Sequence, residues 1–158
     1  MDLPSLWFVL VALLLTGYAV LDGFDLGVGI LFPFAPSDTC RDRMMNSIAP
    51  FWDGNETWLI LGGGGLFAAF PLAYSIVMPA LYIPMILMLL GLVFRGVAFE
   101  FRFKATDQSR KIWDIAFHFG SMGAAFMQGM IHPHAEALEM TALIVVRAYL
   151  TTTLGLTF

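Results

Sequence analysis

The heptapeptide from Trp52 to Trp58, WDGNETW, concentrates the groups of this chain that could carry out acid–base chemistry. Asp53 and Glu56 are three residues apart, so a helix places both carboxylates on one face. An apolar, glycine-containing run follows, of the kind found in membrane-spanning segments. A carboxylate in such a segment costs at least about 2.5 to 3.5 kcal/mol to insert, so it usually faces protein or water. Asp53 and Glu56 are therefore candidate proton-carrying groups.

A simpler interpretation of Asp53 is also open. Aspartate is a favoured N-cap residue, and Pro50 lies just before the segment, as it often does at a helix start. In this interpretation Asp53 only stabilises the free backbone N–H groups of the first turn. The sequence pattern is compatible with both roles.

A second acidic pair lies in the first apolar run, within the sequence DGFDLGVG that begins at Asp22. Asp22 and Asp25 share a helix face by the same three-residue spacing. Gly23 and Gly27 form a small-xxx-small pattern, which allows another helix to approach closely. We expect this segment to be packed against protein.

The composition predicts an integral membrane protein. The 158 residues are 59% hydrophobic and 13% charged, with a mean hydropathy of +0.79, whereas a soluble domain carries about 25% charged residues. The apolar runs are continuous and do not alternate, which favours helices over a membrane barrel. A net charge of −4 disfavours nucleic-acid binding, and the single cysteine, Cys40, leaves no internal disulfide.

The run lengths predict an all-α fold, a polytopic transmembrane bundle of four helices. These helices are expected near residues 4–33, 48–71, 76–99 and 112–131. Ser47 is the expected cap of the second helix, and Pro84 is expected to kink the third. We predict two regions: 1–131 is the four-helix bundle, and 132–158 is an atypical tail. Met140 to Phe158 in that tail is a weaker, fifth candidate span.

Lys and Arg residues in short loops predict the orientation, because cytoplasmic loops are enriched in them. The loop after the first predicted helix holds Arg41 and Arg43, and the loop after the third holds four such residues with Arg95 close by. The turn between the second and third helices has none. The N-terminus is therefore expected outside, which places the four carboxylates towards the cytoplasm, as a proton uptake path requires.

Histidines offer little support for a metal or haem site within this chain. No histidine precedes His118, which is expected to be a hydrogen-bonded interior residue and not a ligand. His132 and His134 flank a proline in a predicted loop, and their role stays open. We expect the chain to bind no cofactor and no metal on its own.

Two further motifs have alternative interpretations. The run Gly62–Gly65 lacks the Lys-Ser/Thr ending of a phosphate-binding loop, so we expect it to serve close helix packing. Trp58 is either an anchor at the membrane interface or part of the lining of a gas or quinone path.

The residue patterns leave three kinds of membrane protein open. One is a subunit without its own redox centre in a proton-consuming enzyme, another is an ion-coupled transporter, and the third is a purely structural membrane subunit. A transporter is expected to contain internal repeats. The DGFD and WDGN patterns each occur once in the chain, which disfavours that class.

Four blocks of sequence carry a family resemblance. They are AVLDGFDLGVG at 19–29, MNSIAPFWDGNETWL at 45–59, GGGLFAAFP at 63–71 and FRGVAFEFR at 94–102. In these blocks the chain resembles subunit II of the cytochrome bd terminal quinol oxidases, in particular the cyanide-insensitive branch. The resemblance covers about residues 1–130. The following IHPHAEALE does not resemble the family's continuation, so we expect a truncated or frame-shifted product or a fragment.

The resemblance implies an oxidoreductase of the aerobic respiratory chain, in the bacterial inner (cytoplasmic) membrane. Its partner, subunit I, would carry haem b, haem d and the site for quinol, the substrate of the complex. Subunit II would bind no haem and would support assembly of the haem subunit. A small accessory membrane subunit, membrane lipid and a structural quinone are further expected partners.

The resemblance also implies site residues by matching position. Asp53 resembles the family's proton-path aspartate, with Asp22 and Asp25 on the same side. Glu56, one turn from Asp53, completes the expected path. Trp58 resembles a tryptophan near the family's oxygen path. None of these residues is expected to be catalytic in itself, and the multi-pass chain is expected to have a periplasmic N-terminus.

Overall fold

The computed structural model describes residues 3–106 and 109–131, which are helical apart from short connections. The helices are α1 (Leu3–Leu31), α2 (Asp38–Ile48), α3 (Trp52–Ala69), α4 (Pro71–Ala80), α5 (Tyr82–Arg102) and α6 (109–131). A short 3-10 helix, Phe32–Phe34, follows α1. The described ranges contain no β-strand, which confirms the all-α prediction.

Two helices of the described chain are long and apolar enough to cross a membrane. They are Leu3–Phe34, which includes the 3-10 helix, and Tyr82–Arg102, each with a mean hydropathy of 2.0. α3 begins with the polar WDGNET sequence and contains five glycines, and α4 has only 10 residues. The four-span bundle therefore stays a prediction, and its candidate fifth span lies outside the described residues.

Prolines affect the predicted second and third helices in different ways: the second starts only after Pro50, as α3, and the third is interrupted near Pro84. Pro50 has no N–H with which to continue the hydrogen bonding of α2, which ends at Ile48. Pro84 likewise cannot donate to the carbonyl four residues before it, and its ring crowds that carbonyl. The break falls at Leu81, between α4 and α5, so the kink predicted at Pro84 lies three residues earlier in the chain.

The expected cap at Ser47 was wrong. Ser47 lies inside α2, where its hydroxyl donates to the Met44 carbonyl over 2.7 Å. The cap of α2 is Ser37, whose Oγ accepts a hydrogen bond of 3.2 Å from the Cys40 N–H.

Glycines set the close approach of α1 and α3. A methyl group added at Gly62 would lie 2.6 Å from Leu15, and one at Gly65 would lie 3.3 Å from Val11. The paired positions run in opposite directions, so the helices are antiparallel. Close packing is thus confirmed for these two glycines, whereas nothing in the described chain lies within 4 Å of a methyl group added at Gly63 or Gly64.

The close contact expected at Gly23 and Gly27 is absent from the described ranges. A methyl group at either position would meet nothing within 4 Å. Gly29 makes the close contact instead, because a methyl group there would collide with the Ser121 side chain of α6. Within the described chain, the close contact of this segment is therefore made at Gly29, and an approach of another helix at Gly23 and Gly27 stays a prediction.

α5 and α6 cross at their backbones. A methyl group at Gly91 would lie 2.7 Å from the Gly120 carbonyl oxygen, and one at Gly120 would lie 2.6 Å from that of Gly91. At the end of the bundle near α2, a buried apolar cluster joins α2, α5, α6 and the 3-10 helix. Its members are Phe32, Met45, Ile48, Ala98, Phe99 and Phe117.

Candidate functional site

Arg95 of α5 is the centre of a buried polar cluster. Its Nη1 lies 2.7 Å from Asp22 Oδ1 and 3.3 Å from Glu56 Oε1, and its Nη2 lies 3.5 Å from Asp25 Oδ2. The side chains of Arg95 and Asp22 are 0% exposed. Three carboxylates from two helices therefore face one guanidinium from a third. We call Asp22, Asp25, Glu56 and Arg95 the Arg95 cluster.

Local structure explains how these groups meet. The three-residue spacing of Asp22 and Asp25 places both on the face of α1 that turns inward, where both are buried. Asn55, in the second turn of α3, donates from Nδ2 to Asp25 Oδ2 over 2.8 Å. Glu56, the next residue, reaches Arg95. The antiparallel packing of α1 on α3 therefore brings the two acidic motifs of the sequence together.

Further buried polar atoms extend the cluster along α1. Tyr18 lies one turn before Asp22 and is 3% exposed. Its hydroxyl and Asp22 Oδ2 are both buried. A buried hydroxyl and carboxylate oxygen can each donate or accept a proton, so this face of α1 is polar over a full turn.

The charges of the Arg95 cluster do not balance when all its carboxyl groups are ionised. The guanidinium of Arg95 then compensates only one of the three carboxylate charges. Two negative charges stay uncompensated in the largely buried Arg95 cluster. Uncompensated buried charge is costly, because desolvation is not repaid by pairing. Taking up protons removes this cost, so the arrangement is chemically suited to exchange protons.

Asp53 lies outside the Arg95 cluster. It is exposed in the first turn of α3, whose N-cap is Phe51 and has no side-chain capping bond. The interpretation of Asp53 as the N-cap was therefore wrong, although an acidic residue in the first turn still suits the helix dipole. The helix starts two residues earlier than a cap at Asp53 requires, because Asn55 N–H already bonds the Phe51 carbonyl over 2.9 Å.

A groove between α3 and α5 connects Asp53 with the cluster. Its volume is about 560 Å³, and Asp53 and Glu56 are its two carboxylates. Apolar side chains such as Leu89 and Val93 form most of its wall. Glu56 is 20% exposed and also contacts Arg95. This residue is therefore shared by the groove and the buried cluster.

Trp58 of α3 contacts α1. Its ring packs on α1 at Gly17, where an added methyl group would lie 3.0 Å from the indole. The side chain is partly buried between α1 and α3. Of the predicted site residues, the structure thus gathers Asp22, Asp25 and Glu56 around Arg95 and places Asp53 with Glu56 in the groove, and in the described chain Trp58 is not among the partners of Arg95 or the lining of the groove.

The residue that the sequence analysis missed is Arg95, which was counted with the loop cations that set the orientation. It is instead buried in α5, two turns from the helix end. The missed signal was its position inside an apolar run, since a cation there requires buried partners of opposite charge. Two acidic pairs elsewhere in the sequence could have supplied them.

A second buried arginine holds the end of the bundle. Arg102, 0% exposed, bonds Asp42 of α2 and Asp114 of α6, and its guanidinium lies 5.2 Å from the Phe32 ring centre. Arg110 also approaches Asp42, at 3.7 Å. Several charged residues that the sequence predicted to lie in loops therefore form ion pairs between helices.

His118 is a hydrogen-bonded interior residue, as predicted. Its Nδ1 lies 3.1 Å from the Gly29 carbonyl oxygen, which requires the proton on Nδ1. His132 and His134 lie outside the described residues. Within residues 3–106 and 109–131, no group of three or more His, Cys, Asp and Glu side chains is placed to hold a metal ion.

Comparisons with known proteins agree with the resemblance seen in the sequence. The family model described as cytochrome bd terminal oxidase subunit II matches residues 3–154, which extends beyond the residue 130 expected from the motifs. The chain is 45% identical over 132 residues to cytochrome bd ubiquinol oxidase subunit 2 of Bacillus subtilis (strain 168). This match covers 82% of the chain and 39% of the relative.

Two further relatives show similar coverage. Cytochrome bd-I ubiquinol oxidase subunit 2 of Escherichia coli (strain K12) is 49% identical over 121 residues, covering 75% of the chain and 32% of the relative. A probable cytochrome oxidase subunit 2 of Haemophilus influenzae is 40% identical over 130 residues, covering 81% and 34%. The chain thus spans about a third to two fifths of the length of these relatives.

Proposed function

Because the chain belongs to the cytochrome bd terminal oxidase subunit II family, we propose that it acts as the haem-free subunit II of a membrane quinol:oxygen oxidoreductase in aerobic respiration. Its partner is the haem-bearing subunit I, which holds haem b, haem d and the quinol site. The family match over residues 3–154 carries this assignment. A small accessory membrane subunit and a structural quinone are further components of the proposed complex.

Within this complex, the chain provides a path for protons towards the partner's oxygen-reducing haem. Reduction of oxygen consumes protons, and carboxylates within hydrogen-bond reach of each other can pass them on. The path begins in the groove at Asp53 and Glu56, and Glu56 passes protons to Asp22 and Asp25, the other carboxylates of the Arg95 cluster. Its support is the contact of Glu56 with both places and the 2.7 Å pair of Asp22 with Arg95.

We assign the groove end of the bundle to the cytoplasm, in the bacterial inner membrane. The basic segments after α1 and after α5 both lie at this end, because Arg102 joins α5 to Asp42 and Asp114. Concentration of Lys and Arg at one end supports a cytoplasmic location there. The N-terminus is then periplasmic, and residues 1–131 form the four-span bundle with 132–158 as a separate tail.

Trp58 is proposed to lie along an oxygen path. Its support is the position of the partly buried indole between α1 and α3, against Gly17. Oxygen is apolar, so a route through this region is physically reasonable. A packing role for the indole against Gly17 is the competing explanation.

The proposed function is tested by expressing the full chain with and without its haem-bearing partner. We expect quinol-dependent oxygen consumption and haem d absorption only when both are present. A partner that assembles its haems and turns over equally well without this chain would refute the assignment. Haem bound in stoichiometric amount to the isolated chain would refute the haem-free role.

A further inference from the structure

A second cavity, distinct from the groove at Asp53, lies at the end of the bundle near α2. It has a volume of about 420 Å³, between the 3-10 helix, α2 and α6. Arg41 and Lys111 bring cationic groups to its wall, and His118 brings an imidazole. Pro33 and Phe119 are among its apolar lining residues. Asp114 is the carboxylate among the lining residues, and it is paired with Arg102. The cavity therefore combines apolar surface with two cationic side chains and one carboxylate that already has a cationic partner.

The charges around this cavity leave a cationic excess. Arg102 and Arg110 face Asp42 and Asp114, so two cations compensate two carboxylates. Arg41 pairs with Asp38 through Nη1 at 2.7 Å, in a pair whose aspartate is 72% exposed. An arginine has five N–H donors, so this exposed pair leaves Arg41 able to bind a second anion. Lys111 makes no ion pair within residues 3–106 and 109–131, which adds one uncompensated positive charge.

An apolar stripe on α6 leads away from the cavity. Its residues recur at spacings of three and four, which places them on one helix face. They are Ile112, Ile115, Phe119, Met122 and Phe126, each at least 40% exposed. Ile115 and Phe119 also line the cavity, so the stripe begins at its wall. Lys111 lies one turn before Ile115.

We propose that this cavity binds the headgroup of an anionic phospholipid, with one acyl chain lying along the α6 stripe. Arg41 and Lys111 bind the phosphate, which suits the two cationic groups and their free donors. The order of groups along α6, cation first and apolar face next, matches the order of headgroup and chain in a lipid. Basic pockets between membrane helices at the cytoplasmic side bind anionic headgroups by the same chemistry. This site does not depend on the proposed oxidase function.

The test measures lipid retained by the purified full chain in detergent, by native mass spectrometry. The chain is offered equal amounts of dioleoylphosphatidylglycerol and dioleoylphosphatidylcholine. We expect the phosphatidylglycerol adduct to dominate, and Lys111→Gln and Arg41→Gln each to weaken it about fivefold, as expected for one basic residue near a lipid surface. Lys104→Gln and Arg43→Gln remove the same charges at exposed positions outside the cavity and should leave the adduct unchanged.

Several outcomes would overturn the proposal. One is equal retention of the two lipids, and another is an equal loss in the cavity variants and the matched controls. Binding of inorganic phosphate alone, with no preference for the lipid, would make this a phosphate site.

A second experiment tests the position of the acyl chain. Phosphatidylglycerol with a photoreactive acyl chain should label the α6 stripe. Crosslinking of Phe119→Cys to a second copy instead would assign the face to self-association. Circular dichroism of each variant measures its helix content, and an unchanged helix content shows that lipid was lost from a folded chain. If Arg41→Gln unfolds, Lys111→Gln alone tests the site.

Discussion

Arg95 is the residue on which the polar interior depends. Its guanidinium contacts Asp22, Asp25 and Glu56, which come from two different helices. Removal of one partner from a buried ion pair leaves the others uncompensated, which commonly costs about 3 to 5 kcal/mol. The side chain of Arg95 also fills volume between α1, α3 and α5, so its loss affects packing as well as charge.

We therefore expect Arg95→Met to destabilise the chain by about 3 kcal/mol or more, since methionine fills part of the volume but leaves the carboxylates unpaired. Chemical unfolding of the detergent-solubilised chain measures the change. Arg43→Met, at an exposed position, is the matched control and should change stability by less than about 0.5 kcal/mol. An Arg95→Met chain as stable as this control would show that the cluster contributes no net stability.

Glu56 and Asp53 make separable predictions about proton transfer. Glu56→Gln keeps the oxygen that accepts from Arg95, and Asp53→Asn keeps the shape of the exposed carboxylate, but neither product can carry a proton. In complex with the haem subunit, both variants should keep full haem content and lose oxygen-reduction rate. The loss should be about 100-fold if the carboxyl group is essential for transfer.

The pH dependence of oxygen consumption distinguishes a proton relay from a structural role of these carboxyl groups. Oxygen consumption by the variants should fall most at high pH, because free protons that could bypass a missing carboxyl group are then scarce. Thr57→Val removes an exposed side-chain donor one residue from Glu56 and serves as the control. Unchanged turnover of both assembled variants across the pH range would refute the relay and favour a structural role.

Among individual residues, the sequence predicted the acidic pair Asp22 and Asp25 and missed Arg95, the cation that these carboxylates contact. The three-residue spacing placed Asp22 and Asp25 on one face, and both are buried. Glu56 joins them only because α1 and α3 pack antiparallel, which no local pattern encodes. Arg95 was missed because the positive-inside rule counts cations near helix ends and does not ask whether they are buried.

At the scale of elements, glycine positions decide how the helices pack. Gly91 and Gly120 bring the backbones of α5 and α6 together, whereas Gly63 on α3 has open space around it. A side chain at a backbone crossing forces the helices apart, which typically costs about 1 to 3 kcal/mol. A side chain in open space meets no such resistance.

Gly91→Ala and Gly63→Ala should therefore change stability in opposite directions. The added methyl group at Gly91 lies 2.7 Å from a backbone oxygen, so we expect a loss of about 1 to 3 kcal/mol. At Gly63 the same change should stabilise α3 by up to about 1 kcal/mol, because alanine favours helix more than glycine does. Unfolding of both variants under identical conditions measures the difference, and equal effects would contradict the assigned crossing.

Helix boundaries were predicted where local chemistry determines them. Pro84 predicted a break in the right region, because its ring and missing N–H disturb the preceding turn. The start of α3 was misplaced, because Ser47 and Asp53 are both good caps by composition and neither caps a helix by its own side chain there. Helix α2 was predicted as a loop because its sequence is polar. Its Asp42 pairs with Arg102 of α5 and Arg110 of α6, and such contacts are too distant in sequence for a local pattern to show.

For the whole molecule, the proposed orientation makes a prediction that does not depend on catalysis. In a Cys40→Ser background, Lys104→Cys places the label at the basic end and Ser75→Cys places it in α4, in the segment that the sequence predicts to face outside. Both positions are exposed, so reactivity should report the side of the membrane and not burial. With a membrane-impermeant maleimide on intact spheroplasts, Ser75→Cys should react, and Lys104→Cys should react only after the membrane is opened.

The opposite labelling pattern would place Asp53 and the groove at the periplasmic face. Protons for the Arg95 cluster would then be drawn from outside, and the proposed path of cytoplasmic protons would fail even if Glu56→Gln slowed turnover.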